Sequence, residues 1–153
     1  MNIKAKIERA FAEYLRRESD LQSLAEVAVF EGKSAEERTL PCVIVYAESA
    51  EAPDEFPSAS GIFEVDLKIF VLTQADDEAV EDQNERVRAV LEALMDGERV
   101  PTWFNVPEAG EDERPVKDLH VYDVQEEAFT EGRDERHFGD VMAFRVICQG
   151  VDG

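Results

Sequence analysis

Cysteine, histidine, glycine-rich loops, long apolar runs and basic residues are all scarce in this sequence, and each scarcity removes a class of function. Only Cys42 and Cys148 occur in 153 residues, too few for a disulfide framework. Both sit in apolar stretches that read as strands, so buried, reduced thiols are expected. Neither has a neighbouring histidine in a nucleophile motif. His120 and His137 fall on different expected strands, with no third ligand at a diagnostic spacing, so no metal site is expected. Gly32 and Gly61 are isolated turn residues, not a phosphate-cradling loop. Ser34, Ser58 and Ser60 lie in loops without the nucleophile elbow of a hydrolase. No catalytic residue and no cofactor is expected. No apolar run approaches the ~18–20 residues of a membrane span. The N-terminal Met-Asn-Ile-Lys-Ala-Lys lacks the apolar core of a signal peptide, so the expectation is synthesis and residence in the cytosol, with no membrane partner.

The shortage of basic residues is the most unusual global feature. Sixteen lysines and arginines stand against 36 acidic residues, a formal net charge of −20. Such a surface repels phosphate backbones, which disfavours sequence-reading of DNA or RNA. It does not exclude a protein that DNA must pass without sticking, and the plainer reading is that acidity aids solubility. With 44% hydrophobic and 34% charged residues, the chain reads as one globular domain over 1–153 that buries roughly two-thirds of its surface.

What is present is organised around residues 61–97. Gly61-Ile-Phe-Glu-Val-Asp-Leu-Lys-Ile-Phe-Val-Leu-Thr-Gln74 puts Phe63, Val65, Leu67, Ile69 and Val71 on one face, the alternation of a strand. The other face begins polar with Glu64, Asp66 and Lys68 and turns apolar at Phe70 and Leu72, so one end is expected to be covered twice. Extended, this stretch spans ~46 Å, against a radius of gyration of ~15 Å for a domain of this size. It must therefore bend, bulge or project, and the 61–66 end is expected to meet a neighbour. Asp76-Asp77-Glu78 opens a helix carrying Val80, Val87, Leu91 and Leu94, with a stop at Gly97. That helix start explains the three acids better than a magnesium-binding cluster does. Asp82 and Arg86 form an i,i+4 pair.

Before this unit, Ile3, Ile7, Ala10, Phe11, Tyr14 and Leu15 recur at helical spacing, with basic residues on the opposite face. Val27-Ala-Val-Phe30 is a short strand, and Leu40-Pro-Cys-Val-Ile-Val-Tyr46 reads as a strand covered on both sides, with Pro41 tolerated only at its beginning or on an edge. Long loops are expected at 48–60, which carries Asp54 and Glu55, and at 98–117. The second loop holds Trp103 and Phe104, which either cap the core or anchor a partner. Leu119 to Phe129 and Phe138 to Cys148 form a long terminal hairpin. The expected fold class is α+β: a mixed, mainly antiparallel sheet of about five strands with two main helices.

This order of elements resembles the tail-terminator (tail-completion) proteins of long-tailed bacteriophages and the related small neck and tail proteins. The likeness rests on Leu40-Pro-Cys-Val-Ile-Val-Tyr-Ala-Glu-Ser, on the acidic proline-bearing loop leading into Gly61-Ile-Phe-Glu-Val-Asp-Leu-Lys-Ile-Phe-Val, and on Thr73-Gln-Ala-Asp-Asp before a helix with Asn84, Val87 and Leu91. It implies a non-enzymatic virion subunit at the tail or neck, assembled in the host cytoplasm. The implied partners are its own copies in a ring, typically a hexamer, the tail-tube protein and the head connector. Such a ring stops tube polymerisation, and DNA passes through without specific binding. Six copies would carry roughly −120 formal charges. Glu64, Asp66, Asp54 and Glu55 are candidates for the lumen or ring faces. The resemblance carries no catalytic motif. A competing reading is an acidic binding module, a DNA mimic or inhibitor, that occupies a basic partner. A small enzyme using scattered carboxylates is a third.

Overall fold

The computed structural model describes residues 3–16, 28–32, 41–52, 61–74, 79–95, 119–132 and 137–150. In chain order the elements are α1 (Ile3–Arg16), β1 (Ala28–Glu31), β2 (Cys42–Glu51), β3 (Ile62–Gln74), α2 (Ala79–Leu94), β4 (Leu119–Thr130) and β5 (His137–Gly150). The strands form one five-stranded sheet in the order β1-β2-β3-β5-β4. β1 runs parallel to β2, and the other neighbours are antiparallel. This is the expected α+β architecture, with the terminal hairpin in place. The acids at 76–78 and the stop at Gly97 lie outside the described residues, as does the loop at 98–117.

β3 occupies the centre. It pairs with β5 from Ile62↔Gln149 to Gln74↔His137 without a break, and with β2 from Glu64↔Glu51 to Leu72↔Cys42. Within its 61–66 end, Glu64, Val65 and Asp66 have main-chain partners on both sides, whereas Ile62 and Phe63 pair with β5 alone. The strain of a long sheet is relieved in the strands beside the central pair. β2 shifts register between Ala47 and Ser49, which leaves Glu48 as an extra residue. β4 shifts twice, with Tyr122 and Glu127 as the extra residues. Each bulge inserts one residue and turns the strand more strongly. β2 also runs on to Glu51, so the expected loop at 48–60 begins later than the alternation suggested. The bulge at Glu48 hides that continuation, because it swaps the inward parity from Val43, Val45 and Ala47 to Ala50.

Both helices lie on one face. α1 packs over β1 and β2, and α2 over β3 and β5. Ile7, Phe11 and Leu15 of α1 and Val90 and Leu94 of α2 are fully buried against Val43, Val45, Val65, Leu67, Ile69, Met142, Phe144 and Val146. Each large side chain so buried contributes about 1.5–3 kcal/mol. Hydrogen bonds fix how the layers sit. The Tyr14 hydroxyl donates to the Ala93 carbonyl at 2.7 Å and joins the two helices. Arg16 donates to the Val29 carbonyl through Nε at 3.2 Å and Nη2 at 2.8 Å. Gly32, at φ 72°, turns β1 so that its N–H reaches the Val45 carbonyl at 2.8 Å.

The buried stripe of α2 is not purely apolar. Gln83 and Arg86 fall on it, one turn apart and one turn before Val90. Arg86 is buried, whereas Asp82, four residues before it, is exposed. The Gln83 amide donates to the Val71 carbonyl at 2.8 Å and to Asp140 Oδ2 at 3.1 Å, and accepts from the Thr73 hydroxyl at 2.5 Å. Arg86 Nη1 donates to Thr73 Oγ1 at 3.0 Å. One side chain thus ties α2 to both central strands. Replacing it removes three hydrogen bonds from a dry site, where a buried polar group is costly to leave without its partner. Gln83→Ala is expected to lower stability by about 2–4 kcal/mol in urea unfolding, while Glu92→Ala on the exposed side of α2 changes it by less than about 0.5 kcal/mol.

Candidate functional site

The sheet face opposite the helices bears the polar groups of β2, β3 and β5. Register sorts it into two zones. Ile44, Phe70 and Val141 stand side by side, next to Cys42 and Leu72, and make an apolar zone. Ile44 and Cys42 are buried there, whereas Phe70 and Leu72 are half-buried, so the strand end expected to be covered twice is only partly covered. The other zone is a band of charges that pair with one another. Ser49, Asp66 and Arg145 lie in one cross-strand row, and Glu51, Glu64 and Ile147 in the next.

Arg145 reaches diagonally to Glu64, with Nε 2.7 Å from Oε1 and Nη2 donating to Oε2 at 3.2 Å. This is a two-point contact of guanidinium on carboxylate. The Ser49 hydroxyl donates to Asp66 Oδ2 at 3.0 Å. The bulge residue Glu48 is aimed at the Lys68 ammonium and forms an ion pair with it. The hydrogen bond that Lys68 donates to Glu48 pushes the Lys68 pKa up. At the far end His120 and Tyr122 stack with centroids 6.4 Å apart, and the Tyr122 hydroxyl donates to Gln149 Oε1 at 2.5 Å. Glu64 with Arg145, Ser49 with Asp66 and Glu48 with Lys68 thus make short contacts within the face.

Chemistry needs an activated group, and none stands out among the described residues. Both cysteines are free thiols and buried. Burial pushes the Cys148 thiol up to about 12, so at neutral pH it is protonated and a poor nucleophile. No group of three or more metal-ligating side chains occurs among the described residues. Within those residues no helix is long and apolar enough to cross a membrane. The face is suited to contact, with an apolar zone beside a charge-matched band.

Comparison with known proteins gives one result that bears on this. No protein-family model matches the chain, and no curated protein matches it. Among solved structures, it is similar to a chain of the virion of native gene transfer agent (GTA) particle, with a TM-score of 0.62 and 18% sequence identity. The match covers 94% of this chain and 95% of that one. The likeness is one of fold.

Of the residues singled out from sequence, Glu64 and Asp66 fall on the charged band, Asp66 between Ser49 and Arg145 and Glu64 one row on, in diagonal contact with Arg145.

 Asp54, Glu55, Trp103 and Phe104 lie outside the described residues. The pairing of Glu64 with Arg145 went unread in the sequence because Arg145 interrupts an otherwise apolar run. Its strand parity, shared with Val141 and Ala143, was the available signal. Both side chains of the pair are about one-third exposed, so its worth is modest. A double-mutant cycle of Glu64→Gln and Arg145→Gln in urea unfolding is expected to give a coupling of about 1 kcal/mol, smaller at high salt. A coupling of zero would show the two groups to be independent.

Proposed function

We propose that this chain is a non-enzymatic structural subunit of a phage-like virion. In this reading, copies close into a ring, a hexamer by the family resemblance, on the end of the tail tube. The ring ends tube polymerisation and offers a surface to the head connector. Its place is the tail or neck of the particle, reached by assembly in the host cytoplasm. The observation that carries the reading is the fold likeness to a virion chain over 94% of this protein and 95% of the other. Near-complete coverage of both chains means that the whole domain is shared, not one common supersecondary unit. The order of elements that resembles tail-terminator proteins supports the same reading independently.

Glu64 and Asp66 belong to this proposal as part of a lumen or ring face, with a refinement from their geometry. Arg145 and Lys68 stand in the same band and offset two of its four carboxylates, Glu48, Glu51, Glu64 and Asp66. A potential that repels passing DNA would come from the remaining acids of a chain carrying −20. The same net charge supports a second reading, an acidic module that occupies a nucleic-acid-binding protein.

The test is assembly. Tail-tube protein polymerised in the presence of this chain is expected to give tubes that stop growing, with the chain at one end in electron micrographs. Tubes whose lengths and ends are unaffected at saturating amounts of the chain would contradict the capping role.

A further inference from the structure

β4 is the outer strand of the sheet, and its two halves differ. Leu119 and Val121 are buried, and Val124 packs on the core. From Gln125 to Thr130 every side chain is exposed, although the strand continues to pair with β5 as far as Thr130↔Val141. This half is a wing with both faces bare. Phe129 is 43% exposed, opposite the buried Met142, and shares its face with Glu126. Glu127 and Glu131, two residues either side of it in sequence, and Asp123 further back on the strand are exposed, and no lysine or arginine occurs in 119–131. A large aromatic held in water among carboxylates is the composition of a contact anchor with a charged rim.

The same chain presents the opposite charge elsewhere. α1 exposes Lys4 and Arg9, with Lys6 half-exposed between them. The acids of that helix are engaged locally: Glu8 accepts from the Ala47 N–H at 3.0 Å, and Glu13 pairs with Arg16 at 2.5 Å. α1 lies over β1 and β2, at the far side of the sheet from β4. Four strand spacings separate β1 from β4, roughly 19 Å. Surfaces of opposite sign on opposite sides of one chain meet between copies, head to tail, and a head-to-tail contact that closes makes a ring.

We propose that the β4 wing docks on the α1 surface of the next copy, with Glu126 and Glu127 facing Lys4 and Arg9 and with Phe129 lying on the aliphatic stem of Arg9. The contact is made by side chains and not by strand addition, because the bulges at Tyr122 and Glu127 spoil the outer edge of β4 as a template. The inference rests on the ring reading and supplies its interface.

Two charge-reversed variants test it, each first checked for wild-type circular dichroism and urea midpoint. Glu126→Lys/Glu127→Lys makes both surfaces basic, and Lys4→Glu/Arg9→Glu makes both acidic. Sedimentation is measured with tail-tube protein present. Each variant alone is expected to associate at least tenfold more weakly than wild type, and an equimolar mixture to recover assembly, since wing and helix then alternate in sign. Variants that assemble alone like wild type, or a mixture that fails to recover, would overturn this interface. In both of those cases wild-type rings leave the ring reading intact. A wild-type chain that stays monomeric beside the tube protein would overturn the ring reading and this interface with it.

Discussion

Strand β3 hydrogen-bonds to β5 from Ile62 to Gln74 and to β2 from Glu64 to Leu72, and the rest of the molecule accommodates that double pairing. A central strand of 13 residues extends ~43 Å, longer than either helix, which at 14 and 16 residues span roughly 21 and 24 Å. The sheet responds by bulging in β2 and β4 while the central pair keeps its register. Coverage follows the same geometry. α1 and α2 bury one face, and the other face keeps an apolar zone and a band of mutually paired charges. The distal half of β4 extends beyond the cover of either helix.

Much of this was legible in the sequence, and the parts that were not have physical reasons. Alternation identified β3, and the 3.6-residue period identified α1, because each buries one continuous face. The bulges left a trace in β4, where inward positions move from Leu119 and Val121 to Val124 and back to Phe129. In β2 the same device concealed the strand's last residues. Gln83 drew no reading from the sequence, and Arg86 was read only as the i,i+4 partner of Asp82. Their spacing with Val90 and Leu94 placed them on the buried stripe, where a hydrogen-bonded amide and a guanidinium are tolerated. Of the candidate site, Glu64 and Asp66 were placed on the correct face, but their partners come from other strands. Cross-strand pairing depends on register, which alternation within one strand does not specify.

Charge is the other organising feature of this domain. The net −20 is not spread evenly among the described residues. Arg145 and Lys68 offset two of the four carboxylates of the sheet band, the first turns of α1 are basic, and the charged side chains of the β4 wing are all acidic. Separation of sign along one axis of the sheet gives each copy two different ends, a property that suits repeated association more than it suits catalysis. The fold shared with a virion chain belongs to the same picture.

The most direct measurement of the central claim is the native mass of the wild-type chain, alone and with tail-tube protein. The account predicts a closed multiple of the 17.3 kDa protomer, formed alone or on contact with the tube end. A monomer in both conditions that instead binds a nucleic-acid-binding protein one to one would contradict it.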